Sequence, residues 1–263
     1  MSQRILVLGA GGVGGYFGGR LAEGGADVTF ALRPARRKQI DAHGIVIHSD
    51  FFDDASVSVN TVAAEAIEGP YDLVILACKA YQLGDVMETI APAVGDNTAI
   101  LPLLNGIKQI DLLQDRFGAD KVLGGTCYIG ARVDAETGDI VHFGDFHRIA
   151  CGEMDASLSP RVEAFAALND AMKFDIDLRD NIEQALWDKF AMLCAMSSVN
   201  TISRATVGEI LATPSGHEFL IAALIECRDT AAALGHIVSP ATIATYEKMF
   251  STQGSKFASS MLR

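Results

Sequence analysis

A glycine-rich turn close to the first residue constrains the fold of this chain more than any other feature. The segment Gly9-Ala10-Gly11-Gly12-Val13-Gly14 fits the pattern G-x-G-x-x-G, follows a predicted strand at 4–8 and precedes a predicted helix at 12–23. The first glycine lets the chain turn, the second lets the backbone approach a pyrophosphate, and the third lets helix and strand pack closely. The helix N-terminus adds free N–H groups and partial positive charge. We therefore predict that these six residues bind the pyrophosphate of a dinucleotide.

Short apolar strands alternate with helical segments over the first part of the chain. Further strands are predicted at 27–32, 44–48, 72–76 and 98–101, and helices at 34–42, 82–91 and 108–117. This alternation is typical of a doubly wound parallel sheet. Strand-like segments between 121 and 152 are separated by turns, and we interpret them as antiparallel strands added at the sheet edge. A helix at 160–172 and a last strand at 174–178 complete this part.

From residue 181 onward the apolar residues recur with helical spacing. Three helices are predicted, at 181–203, 216–234 and 240–250. The sequence thus predicts an α/β fold, with an N-terminal Rossmann-type domain at 1–179 and a C-terminal all-helical domain at 180–263. The last residues end without a helix stop signal, so the chain could be an incomplete version of a longer protein.

The composition argues against several functional classes. With 21 Lys+Arg against 33 Asp+Glu the formal net charge is -12, whereas nucleic-acid binding needs clustered cations. The five cysteines are far apart and never form CxxC, which favours reduced thiols and a cytoplasmic location. No apolar run approaches the ~20 residues that span a bilayer. No spacing of histidines and cysteines indicates a metal site.

The end of the second predicted strand discriminates between the two nicotinamide dinucleotides. An NAD site would carry Asp or Glu there, to accept a hydrogen bond from the ribose 2′-OH. This strand instead ends Ala31-Leu32-Arg33, and the Arg33 guanidinium could bind a 2′-phosphate bidentately. Arg37 and Lys38 fit the solvated start of a surface helix. The sequence therefore predicts NADPH/NADP+ as the cofactor rather than NADH.

Three further polar residues are candidates for the chemistry. Lys79 and Asn105 lie in loops that follow predicted parallel strands, at the sheet edge where ligands of such folds bind. Lys189 shares one stripe of a predicted helix with Met196 and Asn200, at about 100° per residue. A lysine on an apolar helix is costly to bury, so we interpret Lys189 as a general acid. The alternative is that its side chain extends to solvent.

Seven motifs along the whole chain together resemble the ketopantoate reductase family. In chain order they are GAGGVG, LRP, CKAYQ, LNG, GGTCYIGARV, LWDKF and SSML. The resemblance implies 2-dehydropantoate 2-reductase activity in pantothenate biosynthesis, an NADPH cofactor, a Rossmann domain and a C-terminal helical domain. It also implies that Arg33 holds the 2′-phosphate and that Lys79 and Gln82 lie near the cofactor. Asn105 would bridge cofactor and substrate, and Ala131 would touch the nicotinamide end.

The same resemblance assigns the substrate contacts. It implies that Lys189 donates the proton and that Ser260 holds the substrate carboxylate. The family places asparagines four and eight residues after its lysine, where this chain has Leu193 and Ser197. Ser197 and Asn200 are therefore lesser candidates for the carboxylate contact. The less polar helix puts the identity of the 2-oxo acid in question.

Three alternatives to ketopantoate reduction stay open at this stage. The first is a reductase of the same fold that acts on a different 2-oxo acid or ketone, with a bulkier or more apolar substituent. The second is a dehydrogenase of the 3-hydroxyacid type, which fits the CKAYQ and LNG pair less well. The third is an NADPH-binding sensor without turnover. Apolar faces of the predicted helix 216–234 could form a homodimer interface.

Overall fold

A computed structural model describes residues 3–262, and the chain divides after Ile182 into two compact units. The sequence placed this boundary after residue 179. The strands and α-helices of the first unit are β1 (Arg4–Leu8), α1 (Gly12–Glu23), β2 (Asp27–Leu32), α2 (Pro34–His43), β3 (Ile45–Ser49), β4 (Ala55–Val57), β5 (Asn60–Ala63), β6 (Leu73–Leu76), α3 (Leu83–Ile90), β7 (Ala99–Pro102), α4 (Lys108–Phe117), β8 (Leu123–Val133), β9 (Ile140–Glu153), α5 (Pro160–Ala166) and β10 (Asp175–Leu178).

Five parallel strands form the first sheet, in the order β5-β2-β1-β6-β7. The central strands β1 and β6 are apolar runs that are almost wholly buried, as expected of a sheet covered on both faces. Because β1 pairs with β2 on one side and β6 on the other, the chain changes direction across the sheet at β1. The predicted α/β fold with a parallel sheet is confirmed.

The antiparallel strands predicted after residue 121 are β8 and β9. They start beside the edge of the first sheet, where Ile100 of β7 and Val122 form a single bridge. Most of their pairing lies in a second sheet. Its strand order is β10-β9-β3-β4, and β8 is a further strand that pairs antiparallel with β9. The short strands β4 and β5 were not predicted, since three or four residues carry too little pattern.

Helix α1 lies between the two sheets and is buried without interruption from Gly14 to Leu21. Its glycines let both sheets approach closely. A Cβ placed on Gly18 would lie 2.5 Å from the ring of Phe30 in the first sheet. A Cβ on Gly19 would lie 2.8 Å from Ile45 in the second sheet. One apolar core therefore includes residues of the helix and of both sheets.

The second unit is helical and has its own core. Its helices are α6 (Ile182–Ser203), α7 (Val207–Leu211), α8 (Gly216–Ala233) and α9 (Pro240–Phe250). Buried residues of all four helices, among them Val199, Ile210, Leu224 and Phe250, form one cluster. Helix α7 was not predicted, although Thr206 and Glu209 form a capping box at its start. No helix within residues 3–262 combines the length and apolar character needed to cross a membrane.

Gly14 packs tightly against the turn that precedes it. A Cβ on Gly14 would lie 2.2 Å from the Gly9 carbonyl oxygen and 2.9 Å from the Ala77 Cβ. We expect Gly14→Ala to lower the free energy of unfolding by about 1–3 kcal/mol, because backbone must shift to admit the methyl group. Urea denaturation followed by circular dichroism measures this loss.

Gly84 of α3 provides the matched control. A Cβ there meets no atom within 4 Å, so Gly84→Ala should leave stability unchanged or raise it by about 0.5–1 kcal/mol through helix propensity. Equal effects of the two substitutions would contradict the close packing of the turn.

Candidate active site

Four loops meet at one edge of the parallel sheet, because the strands that precede them are parallel. Gly9 follows β1, Arg33 follows β2, Ala77 follows β6 and Leu103 follows β7. Backbone bonds continue the sheet pairing into three of these loops, as in the 3.2 Å bond from the Gly9 nitrogen to the Ala31 oxygen. Ligands of open α/β sheets bind at this edge, beside the point where the strand order changes direction.

A cleft of ≈ 360 Å³ opens at this edge. It brings together six residues that the sequence predicted to bind the cofactor: Gly9, Ala10, Gly11, Arg33, Lys79 and Gln82. The rest of its lining comes from strand ends, from Ala64, from the loop after β6, from Arg36 of α2 and from α3, including Asp85 and Thr89. Gly12, Val13 and Gly14 continue from the same turn into α1.

The glycine-rich turn leaves room for a phosphate group. Gly9 has a φ of 92°, which favours glycine, and a Cβ on Gly11 would meet no atom within 4 Å. Gly11 is the N-cap of α1 and has no side chain to bond the first N–H groups of the helix. Open space beside free N–H groups at a helix N-terminus is the arrangement that binds pyrophosphate. The residues present therefore fit a dinucleotide.

Arg33 lies at the start of α2, as its N-cap, and its side chain is exposed at the cleft. Pro34 follows at the first helical position, where its fixed φ starts the helix without losing a hydrogen bond. No acidic side chain follows β2 at this point, so nothing there competes for a ribose 2′-OH. An exposed guanidinium at a helix N-terminus suits a 2′-phosphate.

The loop after β6 folds back on itself at Lys79. The Gln82 side-chain oxygen accepts a hydrogen bond from the Lys79 backbone nitrogen at 3.2 Å, and the Gln82 backbone nitrogen donates to the Lys79 carbonyl at 2.9 Å. The Lys79 side chain is exposed. Burial raises the pKa of the neighbouring Cys78 thiol, so this cysteine contributes apolar surface to the cleft rather than a nucleophile.

Asn105 is exposed in the loop after β7, and a residue missed in the sequence holds this loop. Gln109 is 5% exposed, and its side-chain nitrogen donates to the Gly106 carbonyl at 2.8 Å and to the Leu104 carbonyl at 3.5 Å. These carbonyls flank Asn105, and Gly106 has a φ of 106°. In the sequence nothing distinguishes Gln109 from the other polar residues of the predicted helix 108–117.

Ala131 of β8 lies against the start of α1. A Cβ on Gly12 would come within 2.6 Å of the Ala131 carbonyl oxygen, so this strand touches the glycine-rich turn. The pairing of β8 with β9 shifts register between Ile129 and Ala131. The structure therefore brings the strand predicted to meet the nicotinamide end next to the predicted pyrophosphate site.

Arg36 is a second residue that the sequence did not assign to the site. It lines the cleft together with Arg33, and its Nε donates to the carbonyl of Ala10 at 3.1 Å. Its Nη1 donates to Gln39 and to the carbonyl of Gly138, each at 2.6 Å. Because Gly138 lies 102 residues further along the chain, no local pattern could distinguish Arg36 from its basic neighbours.

The remaining predicted residues lie in the helical unit. Lys189 of α6 is 7% exposed, and Ser197, on the same helix, is partly buried. Near the start of the helix the side chain of Gln184 donates to Asp188 at 2.7 Å. The side chain of Lys189 is therefore buried rather than extended into solvent. A buried lysine needs a compensating interaction or a function.

Asn200 is fully buried, and its amide bonds to this chain itself. Its oxygen accepts from the Ser259 backbone nitrogen at 3.0 Å, and its nitrogen donates to the Ala205 carbonyl at 2.8 Å. Asn200 thereby fixes the segment that carries Ser260 to helix α6. Ser260 itself is exposed, and Ser259 beside it is buried. Of the two residues, only Ser260 is accessible to a ligand.

The described residues contain no group of three or more His, Cys, Asp or Glu side chains that could hold a metal ion. The charged side chains of the cleft are instead two arginines, a lysine and Asp85, and they lie beside the backbone N–H groups of the glycine-rich turn. Such a donor set is suited to anionic phosphate groups and unsuited to a cation.

Two family models match the chain. The model described as ketopantoate reductase PanE/ApbA matches residues 5–156, and the one described as its C terminal matches residues 181–263. The uncharacterized oxidoreductase YkpB of Bacillus subtilis (strain 168) is 38% identical over 215 residues, which cover 81% of this chain and 70% of that protein.

Solved structures agree with this assignment. The crystal structure of 2-dehydropantoate 2-reductase from Geobacter metallireducens GS-15 has a TM-score of 0.88 and 27% identity, covering 98% of this chain and 85% of that one. A ternary structure of D-mandelate dehydrogenase with NADH and anilino(oxo)acetate has a TM-score of 0.83 at 23% identity, covering 98% and 84%, and shows the shared fold. The chain therefore belongs to the ketopantoate reductase PanE/ApbA family, and it is an NADP-dependent oxidoreductase that reduces a 2-oxo acid.

Proposed function

We propose that this protein reduces 2-dehydropantoate (ketopantoate) to pantoate with NADPH, the reaction of pantothenate biosynthesis. The observation that carries the proposal is the cleft in which the glycine-rich turn, Arg33 and Lys79 lie together. Membership of the family whose models match both halves of the chain supports the substrate. The similarity to the Geobacter 2-dehydropantoate 2-reductase supports it further.

In the proposed reaction the first unit binds and orients the cofactor. The glycine-rich turn and the N-terminus of α1 hold the pyrophosphate, and Arg33 holds the 2′-phosphate. Lys79 adds positive charge at the same cleft, and Ala131 limits the position of the nicotinamide. The cofactor, when bound, supplies the hydride that the substrate C2 carbonyl carbon receives.

The polar residues that remain act on the substrate. Asn105 orients the carbonyl group, which contributes through positioning. The Lys189 ammonium donates a proton from Nζ to the carbonyl oxygen, so that hydride and proton together convert the ketone into an alcohol. Ser260 holds the substrate carboxylate, with Ser197 as a lesser candidate. Asn200 serves this contact indirectly, since it fixes the backbone beside Ser260.

A second candidate is reduction of a different 2-oxo acid with a more apolar substituent. Leu193 and Ser197 make this face of α6 less polar than a pair of asparagines would, and Leu193 is partly buried. D-mandelate dehydrogenase, whose solved structure contains NADH and anilino(oxo)acetate, shares the fold. A pocket with fewer amide groups discriminates less strongly for a substrate hydroxyl group.

The proposal also includes a cytoplasmic location and a homodimer. None of the five cysteines, all within the described residues, forms a disulfide, which supports a reducing compartment such as the cytoplasm. Phe219 and Ile225 of α8 are large apolar side chains that are 44% and 37% exposed. They support a homodimer formed through the helical unit, where such side chains would be covered.

The substrate assignment is tested by NADPH oxidation, followed by the absorbance of the reduced nicotinamide, with ketopantoate and a panel of aliphatic and aromatic 2-oxo acids. We expect saturable turnover with the highest kcat/KM for ketopantoate, and weaker turnover with NADH. A higher kcat/KM for an apolar 2-oxo acid would replace the first candidate by the second. Binding of NADPH without turnover of any compound would instead favour the sensor.

Lys189→Ala should lower kcat by about 100-fold or more while NADPH affinity stays unchanged, because the proton donor is lost and the cofactor contacts remain. Lys189→Met, which keeps most of the side-chain volume, separates loss of the ammonium from loss of packing. Steady-state kinetics and NADPH fluorescence titration provide the two readouts. Lys248→Ala, at an exposed lysine of α9 in the same unit, is the control. Near-normal kcat in both Lys189 variants would refute the assignment.

Gln109→Leu tests whether Asn105 must be positioned. The change leaves the Gly106 carbonyl without its 2.8 Å donor, so the loop loses its fixed shape. We expect kcat to fall by about tenfold or more, with NADPH affinity little changed. Gln114→Leu, further along α4, is the matched control. A loss of NADPH affinity at constant kcat would show that this loop serves the cofactor alone.

A further inference from the structure

Arg36 and Arg37 are adjacent on α2, yet the structure gives them different surroundings. Arg36 is partly buried and lines the cleft, where its Nε bonds the Ala10 carbonyl of the glycine-rich turn. Arg37 bonds the Thr61 hydroxyl at 3.1 Å and pairs with Asp41 at 3.5 Å. Only Arg36 therefore presents its charge to the predicted cofactor.

The guanidinium of Arg36 is only partly used by the chain. Nε and Nη1 donate to Ala10, Gln39 and Gly138, while Nη2 has no hydrogen-bond partner within residues 3–262. Burial lowers the pKa of this guanidinium, and the Asp139 carboxylate opposes that change. An arginine remains charged at neutral pH. A partly buried guanidinium whose Nη2 is not bonded to the described part of the protein is therefore suited to bind an anionic group.

The position of Arg36 in its helix identifies the anion. Arg33 is the N-cap of α2 and Arg36 is the third helical residue, so both belong to the N-terminal turn that follows β2. This is where Rossmann folds place the ribose that carries the 2′-phosphate. The N-terminus of α2 adds the positive end of a helix dipole to the two guanidinium groups.

The other partners of Arg36 connect this region to the β8–β9 hairpin. Gln39 accepts from Arg36 and donates to the Thr137 carbonyl, and Arg36 also bonds Gly138. A Cβ on Gly138 would overlap the Gln39 amide at 1.8 Å, so the turn lies directly on α2. The hairpin continues into β8, whose Ala131 touches Gly12.

We propose that Arg36 is a second 2′-phosphate-binding residue, and that it couples this contact to the glycine-rich turn and the hairpin turn 134–138. The inference rests on the proposed cofactor roles of Arg33 and the glycine-rich turn. It assigns discrimination between NADPH and NADH to two arginines rather than one. Nη2 donates to the phosphate, while Nε and Nη1 keep the guanidinium in place.

Equilibrium binding of NADPH and NADH, measured by nucleotide fluorescence and calorimetry, tests the phosphate contact without turnover. We expect Arg36→Met to reduce the NADPH/NADH affinity ratio by about ten- to a hundredfold, because a charge-assisted hydrogen bond is lost only for NADPH. Arg37→Met should leave the ratio unchanged. Gln39→Leu should also leave it unchanged, since the Arg36 charge remains. An unchanged ratio in Arg36→Met, or an equal reduction in Gln39→Leu, would overturn the proposal.

Arg33→Met separates this inference from the proposed function. A reduced ratio in Arg33→Met but not in Arg36→Met would reject the role of Arg36 alone. A wild-type protein that binds both nucleotides equally would reject the proposed 2′-phosphate site as a whole. Each variant is first checked for a wild-type unfolding temperature.

Hydrogen exchange of the wild-type protein tests the coupling and needs no variant to fold. NADPH should slow amide exchange in the turn 134–138 more than saturating NADH does, because only the 2′-phosphate engages Arg36. Equal protection by the two nucleotides at this turn would overturn the coupling.

Discussion

The burial of α1 between two sheets is the constraint on which the first unit depends. A helix covered on both faces cannot carry a side chain at every position. Gly15, Gly18 and Gly19 leave the room that side chains of the two sheets occupy. Close packing then leaves α1 little freedom to tilt or slide, since even small gaps forfeit contact energy. The N-terminus of α1 is the proposed phosphate site, so the site is held by the core rather than by a loop.

The same burial explains how charge is handled within the helix. Arg20 is 1% exposed, but its guanidinium bonds Glu23 at 2.7 Å and the Asp53 carbonyl at 3.1 Å. Glu23 in turn pairs with Lys173 at 2.7 Å. Although the buried Arg20 Nε has no hydrogen-bond partner among the described residues, Nη1 and Nη2 are bonded, and the low dielectric strengthens those bonds and offsets part of the cost of burying the cation. The helix can therefore be covered all round although it is not wholly apolar.

The sequence predicted the parts of the cleft that local patterns specify. The glycine-rich turn, the bounds of α1 and the loops after β6 and β7 follow from patterns a few residues long, and parallel pairing then brings the strand ends to one edge. The second sheet and Arg36 depend on contacts far apart in the chain, such as Arg36 with Gly138. Helical periodicity placed Asn200 on the stripe of Lys189. It could not show that the side-chain oxygen of Asn200 already accepts a hydrogen bond from the Ser259 backbone nitrogen.

Strand β9 gives the first unit its continuity. It pairs with β8 along most of its length, with β3 near its start and with β10 near its end. Segments from both ends of the unit thus attach to one strand. A fragment that stopped before β8 would keep the whole parallel sheet, yet it would expose the glycines of α1 and the side chains of Ile45 and Ile47 to water. In this protein the parallel sheet and α1 therefore do not form a unit that could be transferred to another protein by itself. A protein that acquired only this part would need other residues to cover the exposed face of α1.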